Sequence, residues 1–428
     1  MAHLVEEMWA ADASGRSRRD RQPCTYKLYV PDTLAGRQFL FEGLVVADVA
    51  DAERAIVSFN ATASALVSTE ALARILLRAE SLASSRIEGM VVGARRILKA
   101  EVEQGINGAH TDKSAVEILA NIEVMDFALK QVGVGSKITL ESILEVNKRL
   151  LATTSLHESG GKLRKQQNWI GGNDFSPCSA DFVPPAWESV AGLMDDLVKF
   201  SNQDGLPAVA QAALAHSQFE TIHPFVDGNG RTGRVLIQMI LRRRGLSPNV
   251  VPPVSLILAT QTKEYVEGLV ATRYCGEPQS QVAIEGINLW VGRFAAACAR
   301  SVEDAMQFES AVKLIEVKWR NTVPKIRAGS SVDSLLKGLV GMPILTVSTA
   351  MKITGSSQQQ TGEAVNTLVT AGILQRMSSG MRNVSYEAPD IIEAFTSLER
   401  RLGSPVGDTR ISPPTRPVPA RIIHSSNE

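Results

Sequence analysis

The stretch His223-Pro224-Phe225-Val226-Asp227-Gly228-Asn229-Gly230-Arg231-Thr232-Gly233-Arg234 gathers a titratable base, a carboxylate, three glycines and two arginines into twelve residues. On its N-terminal side, Val209, Ala212, Ala213 and Phe219 recur at helical spacing and predict a helix over 207–222. On its C-terminal side, Val235, Leu236, Met239 and Ile240 predict a second helix that ends at Arg242-Arg243-Arg244 and Gly245. Cations in a last turn followed by glycine are helix-stop signals. The glycines therefore form a loop that opens onto a helix N-terminus, where free N–H groups and the helix dipole favour an anion, most often phosphate. Arg231 and Arg234, three residues apart on the first turn, share a face and reach the same polyphosphate. Asp227 is a hard oxygen donor suited to Mg2+, and His223 is a base able to accept a hydroxyl proton near neutral pH. Base, metal ligand, anion cradle and charge clamp are the parts needed to move a phosphate-linked group onto a hydroxyl.

Two commoner glycine loops do not fit. Gly228 to Gly233 satisfies G-x-G-x-x-G, but that dinucleotide motif needs a preceding strand and an acidic residue about twenty positions on. Here a helix precedes, and no Asp or Glu lies between Asp227 and Glu264. The chain has no G-x-x-x-x-G-K-[ST] either, so the phosphate loop of P-loop proteins is absent.

The rest of the chain is mostly helical by pattern. Its 428 residues predict two or three cores, and 44% hydrophobic with 21% charged residues is a globular composition. Lys+Arg and Asp+Glu are both 45, so bulk charge favours neither nucleic acid nor membrane as partner. No uncharged apolar run approaches the roughly 18 residues of a spanning helix. Glu6, Glu7 and Asp12 stand where a secretory signal would be basic and then apolar. A soluble, cytoplasmic protein is expected. Cys24, Cys178, Cys275 and Cys298 are far apart and form no C-x-x-C pair, so they are expected as reduced thiols, without zinc or disulfides.

The organisation reads as a loose leader over 1–25 and an N-terminal region over 26–110 with a helix near 69–89. A catalytic core over 111–300 and a helical connector over 301–340 follow, with separate helices predicted at 280–307 and 310–326. Within the core, the Gly-, Pro- and Asn-rich segment 159–185 predicts a hairpin or exposed flap. Over 341–402, helix, turn, helix and a hairpin turning at Ser378-Ser379-Gly380 give the order of a winged helix. Residues 403–428 hold five prolines and no apolar periodicity and are expected to be disordered.

The twelve-residue stretch resembles the signature of the Fic-domain family, H-x-F-x-[DE]-G-N-G-R-x-x-R, at every fixed position. The resemblance implies a mainly α fold, a Fic-type helical core with a short β-hairpin flap, and a protein adenylyltransferase that moves AMP from ATP, with Mg2+, to a Ser, Thr or Tyr hydroxyl. It implies His223 as general base, Phe225 as the loop's anchor and Asp227 as the Mg2+ ligand. Gly228, Asn229 and Gly230 would line the anion hole, Arg231 would contact the phosphates and Arg234 the γ-phosphate. Glycine at 230, where the phosphorylating branch has Lys, favours AMP transfer. Asn168, Trp169, Ile170 and Gly171, with Phe182 and Val183, resemble the flap that binds a target protein by β-augmentation.

Ser84-Ser85-Arg86-Ile87-Glu88-Gly89 resembles the family's inhibitory motif, [ST]-x-x-x-E-[GN]. A glutamate at a helix C-terminus faces the negative end of the dipole, at a cost of roughly 0.3–1 kcal/mol, and calls for a cation. The resemblance implies Arg234 as that cation, with Ser84 steadying the carboxylate, and an enzyme off at rest. Removal of AMP by the same glutamate is a known variation in such relatives. The presumed recognition helix, 357–371, carries Glu363 but no Lys or Arg, so phosphate contacts are scarce. Gln358, Gln359 and Gln360 could still read adenine edges, with Arg376 and Arg382 placing a wing. DNA and a homodimer partner are both candidates for this module. A nucleotide-sensing transcriptional regulator is the alternative function.

Overall fold

Helical spacing dominates the chain, and the computed structural model folds it into fifteen α-helices and five short strands among the described residues, 1–10, 21–64, 69–107, 112–173, 175–323, 325–377 and 384–402. In chain order these are β1 (His3–Trp9), β2 (Cys24–Val30), α1 (Gly43–Ser64), α2 (Thr69–Ile87), α3 (Ala94–Asn107), α4 (Lys113–Gln131) and α5 (Leu140–Leu151). Then follow α6 (Trp187–Ser201), α7 (Ala208–Ile222), α8 (Asn229–Arg243), α9 (Val254–Thr260), α10 (Thr262–Ala271) and α11 (Gln281–Thr322). The C-terminal part comprises α12 (Ser331–Gly338), β3 (Ile344–Thr346), α13 (Val347–Thr354), α14 (Gln358–Thr370), β4 (Gln375–Arg376), β5 (Ser385–Glu387) and α15 (Pro389–Leu402).

The centre of the molecule is α7, in which every residue is buried. Its alanine-rich first half lets neighbouring helices approach closely, and α1, α6, α8 and α11 surround it. Phe219 of α7 packs on Phe225, which is fully buried at the start of the loop into α8. On the far side, Trp290 of α11 packs against Phe294 of the same helix, Tyr265 of α10 and His216 of α7. One window of α11 is long and apolar enough to cross a membrane, but 56% of it is buried against the rest of the fold, which accounts for its composition.

Several expectations need correcting. The presumed leader contains β1, which pairs antiparallel with β2 from His3↔Val30 to Trp9↔Cys24. Cys24 is disulfide-bonded to Cys178, with Cα atoms 5.9 Å apart, whereas Cys275 and Cys298 are free thiols. Two cysteines distant in sequence carried no spacing signal, because the fold brings β2 beside the flap. Among its described residues the flap forms one isolated antiparallel bridge, Ile170↔Phe182. The core and connector share α11, a single 42-residue helix, because Phe308 and Val312 keep its buried stripe unbroken across the expected gap.

In the C-terminal part, α13 and α14 are joined through Gly355 in the left-handed region (φ +64°). The strands order as β3-β5-β4, all antiparallel. The predicted turn at 378–380 and Arg382 lie outside the described residues, as does the tail from 403 onward. α15, which the sequence pattern did not suggest, packs against α3, α9 and α11.

Candidate active site

The loop between α7 and α8 is set by two residues in the left-handed region. His223 caps α7 with φ +48°, and its N–H donates to Phe219 O at 2.9 Å. Gly228 precedes α8 with φ +76°, and a Cβ there would meet Leu150 Cδ2 at 2.9 Å, so glycine is required twice over. No side chain caps α8, which leaves its first-turn N–H groups open to a ligand. The helix begins earlier than the glycine spacing suggested: Gly230 and Gly233 lie inside it. A Cβ at Gly233 would stand 2.7 Å from Glu220 Oε1, so this glycine serves the approach of α7 to α8.

Polar side chains fix the loop's backbone. Asn229 Nδ2 donates to Phe225 O and its Oδ1 accepts from Phe225 N, both at 2.9 Å. Asn147 of α5 donates to Asp227 O at 3.0 Å. Arg164, fully buried, donates to His223 O at 3.0 Å and to Ile222 O at 3.3 Å, while its own N–H donates to Pro224 O. Asn168 Nδ2 donates to His223 O at 3.2 Å and Phe225 O at 3.1 Å. Asn168 was expected to bind a target; here it braces the loop. Arg164 and Asn147 were missed, and an isolated arginine or asparagine carries no sequence signal for such a role.

The flap residues lie alongside. Trp169 stacks edge-on against Trp9 of β1 and donates to Asn173 O at 2.6 Å. Gly171 is left-handed (φ +76°), and a Cβ there would lie 2.0 Å from Asp181 Oδ2. Phe182 lies under the Arg273 guanidinium, 3.5 Å from its ring centroid, and Val183 O accepts from Tyr29 N of β2 at 3.0 Å.

The two arginines near the N-terminus of α8 are buried, 5% and 1% exposed at Arg231 and Arg234, which is unusual for a charge. Arg231 approaches Asp227 at 3.6 Å and Glu117 at 4.0 Å, yet its Nε and Nη1 are buried without hydrogen-bond partners. Arg234 Nη2 donates to Glu88 at 2.6 Å and to Ser84 O at 2.8 Å, and Nε donates to Ser84 Oγ at 2.8 Å. Ser84 thus holds the arginine, where it was expected to steady the carboxylate. A Cβ at Gly230 would fall 2.0 Å from Glu88 Oε1, so glycine supplies the socket that the carboxylate occupies.

The charges respond to this packing. Burial pushes the Glu88 carboxyl up, but the charge and hydrogen bond of Arg234, aided by Arg231 and His223, bring it below its ordinary value. Burial works against the Arg234 cation too, and Glu88 more than restores it, leaving the guanidinium firmly charged. Burial and then the Arg164 charge push the His223 imidazole down to about 4, so it is neutral at pH 7 and able to take a proton. Behind the site, burial raises Glu220 to about 7 and lowers His216 to about 3, where His216 Nε2 meets Tyr265 Oη at 2.8 Å.

Residues 137–241 match the family model described as Fic/DOC family, and residues 46–130 match Fic/DOC family N-terminal. Two regions of this chain, 46–130 and 137–241, are thus similar to the Fic family. Over 159 residues the chain is 36% identical to a protein adenylyltransferase Fic from Drosophila virilis, spanning 36% of this chain and 30% of that protein. It is 35% identical over 159 residues to the protein of the same name from Drosophila melanogaster, covering 29% of it. The chain thus matches about a third of the length of these curated relatives. A solved Fic family protein from Desulfovibrio desulfuricans superposes with a TM-score of 0.51 at 18% identity, covering 82% of this chain and 97% of that one, which shows the shared fold.

Proposed function

We propose that this Fic-domain protein transfers AMP from ATP to a hydroxyl of a target protein and of itself, and that Glu88 holds it off by occupying Arg234. The observation that carries the reading is the pair of buried arginines at the uncapped N-terminus of α8, one with unpartnered donors and the other neutralised by a carboxylate from another helix. Burying two cations this close is costly without an anion between them. A polyphosphate meets that need, and Glu88 meets part of it when no γ-phosphate is there. The matched region of the relatives, which are named protein adenylyltransferases, supports the same class of reaction.

In the active form, the target hydroxyl oxygen attacks the α-phosphorus and its proton passes to the neutral His223 ring. The bond from that phosphorus to the bridging oxygen breaks, and pyrophosphate leaves. The first-turn N–H groups of α8 and Arg231 hold the charge that develops on the phosphates, and Arg234, freed from Glu88, orients the γ-phosphate. Among the described residues no three His, Cys, Asp or Glu side chains converge. Asp227, half-exposed beside Arg231, suits an ion bound through one carboxylate and substrate phosphates. Asp227 would hold Mg2+, which when bound offsets phosphate charge. The target's backbone would add to the edge at Ile170 and Phe182, which orients it without reading much of its sequence.

Intact-mass spectrometry of the wild type and Glu88→Gly, each with ATP and Mg2+, tests this. Addition of AMP in the variant and little in the wild type is expected. A phosphate-sized gain would replace the reaction class, and equal labelling of both would remove the arrest.

A further inference from the structure

Glu88 stands one residue beyond the end of α2, in the turn 88–93 that leads into α3. That turn is fastened from outside the matched Fic regions, by the C-terminal part of the chain. Glu399 of α15 has a buried side chain, 6% exposed. One of its oxygens pairs with Arg86 Nη2 in the last turn of α2, and the other accepts from Ala94 N, the first residue of α3, at 3.1 Å. A single carboxylate therefore ties together the two sides of the turn that carries Glu88.

The surrounding contacts make this a bound interface and no chance touch. Arg95 donates twice to Glu387 of β5, at 3.0 and 2.8 Å. Arg78, buried in α2, donates to Gly341 O at 2.6 Å while its other edge grips Glu101 at 3.1 and 2.7 Å. The backbone at 341 lies so close to α2 that a Cβ on Gly341 would stand 2.8 Å from Ala71 Cα. α15 is anchored in turn, since Asp390 accepts from Trp319 Nε1 of α11 at 2.9 Å and pairs with Lys318 at 3.1 Å.

We propose that Glu399 is a positioning residue for Glu88, so that the C-terminal part of the chain governs how firmly Arg234 is arrested. The inference rests on the arrest proposed above. Residues past a helix end fray readily, and each opening would withdraw Glu88 from Arg234. Glu399 opposes that opening by holding Arg86 and the α3 N-terminus at a fixed separation. Displacing α15 releases the turn without touching the catalytic loop.

The test uses the full chain with ATP and Mg2+ and reads the initial rate of self-modification in single and double variants. Glu399→Ala is expected to raise the rate about five- to thirtyfold, the size of an ordinary coupling between sites, and Arg86→Ala to raise it by a smaller factor. On the Glu88→Gly background neither change should alter the rate. Hydrogen exchange of the amides at 88–93 should be faster in both single variants. A wild-type rate for Glu399→Ala, with Glu88→Gly fast, overturns the role of Glu399 and leaves the arrest standing. An equal acceleration on the Glu88→Gly background also overturns it, because the effect then bypasses Glu88. If Glu88→Gly is itself no faster than wild type, the arrest fails and this inference with it. Should Glu399→Ala not fold, Arg86→Ala carries the same comparison, since Arg86 is 29% exposed and its loss leaves no cavity in the core.

Discussion

The loop 223–234 and the end of α2 meet at Arg234, and they are held in different ways. The loop's carbonyls at 222, 223, 225 and 227 accept from the side chains of Arg164, Asn168, Asn229 and Asn147, drawn from three separate segments, and Pro224 O accepts from the Arg164 backbone. The end of α2 reaches the site through Ser84 and one carboxylate, Glu88, 37% exposed, and Glu399 bridges the two sides of the turn that follows. On the proposed reading, a geometry that must recur on every turnover has redundant contacts, and a block that must be lifted has fewer. Under the proposed arrest, the difference between the closed and open forms would lie at the end of α2 and its partners rather than in the loop.

Removing the base is the largest expected effect. In the Glu88→Gly background, His223→Ala should lower AMP transfer on the order of 10²–10⁴-fold, with ATP affinity by calorimetry nearly unchanged. Transfer at an undiminished rate would reassign the base. Next comes the block itself: Glu88→Gly should raise self-modification by ten- to a hundredfold, in the range of measured couplings of about 1–3 kcal/mol. A rise of less than twofold in that labelling rate would place the two regions on an equal footing.

A third variant probes the loop's redundancy. Asn168→Ala removes two of its braces and should slow transfer about tenfold with nucleotide binding retained, the mark of a misplaced reacting group. A loss confined to ATP affinity would instead make Asn168 part of nucleotide binding.

The smallest effect concerns pH. Glu220, raised to about 7 by burial from an ordinary 4.5, keeps its proton in the folded chain longer than in the unfolded one. Its contribution to stability is therefore lost as pH rises from about 4.5 through 7. Glu220→Gln should raise the melting temperature by a few degrees more at pH 8 than at pH 5. An equal shift at both values would mean that Glu220 titrates normally.

The sequence carried what is local. Helical spacing located α2, α4 to α8 and α10, and the spacing of His223, Asp227, Arg231 and Arg234 described the loop because consecutive residues build it. Glu88 was legible for the same reason, since its helix end and Gly89 (φ +84°) are neighbours in the chain. Contacts formed by distant segments left no periodic trace. Arg164 is one arginine in a basic run, and Glu399 is one acid in a charged C-terminal helix; only the fold gives either a partner. The pairing of β1 with β2 was hidden because the sequence between them, 10–23, is far longer than the two residues that mark a hairpin. The disulfide from Cys24 to Cys178 followed from that same unseen neighbourhood.

Gly230 decides how this device fails. Any side chain there would collide with Glu88 and also with Arg234 Nη1, 3.0 Å from the added carbon, in the space proposed for phosphate. If the proposed arrest holds, damage to the socket would dislodge the block and clog the cradle at once, giving a dead enzyme. Damage to the plug, at Glu88 or at the residues steadying it, would leave the cradle clear and give an unrestrained one. On that reading the two halves of the lock are unequal in hazard: errors on α8 would be silent to any target protein, and errors on α2 would not.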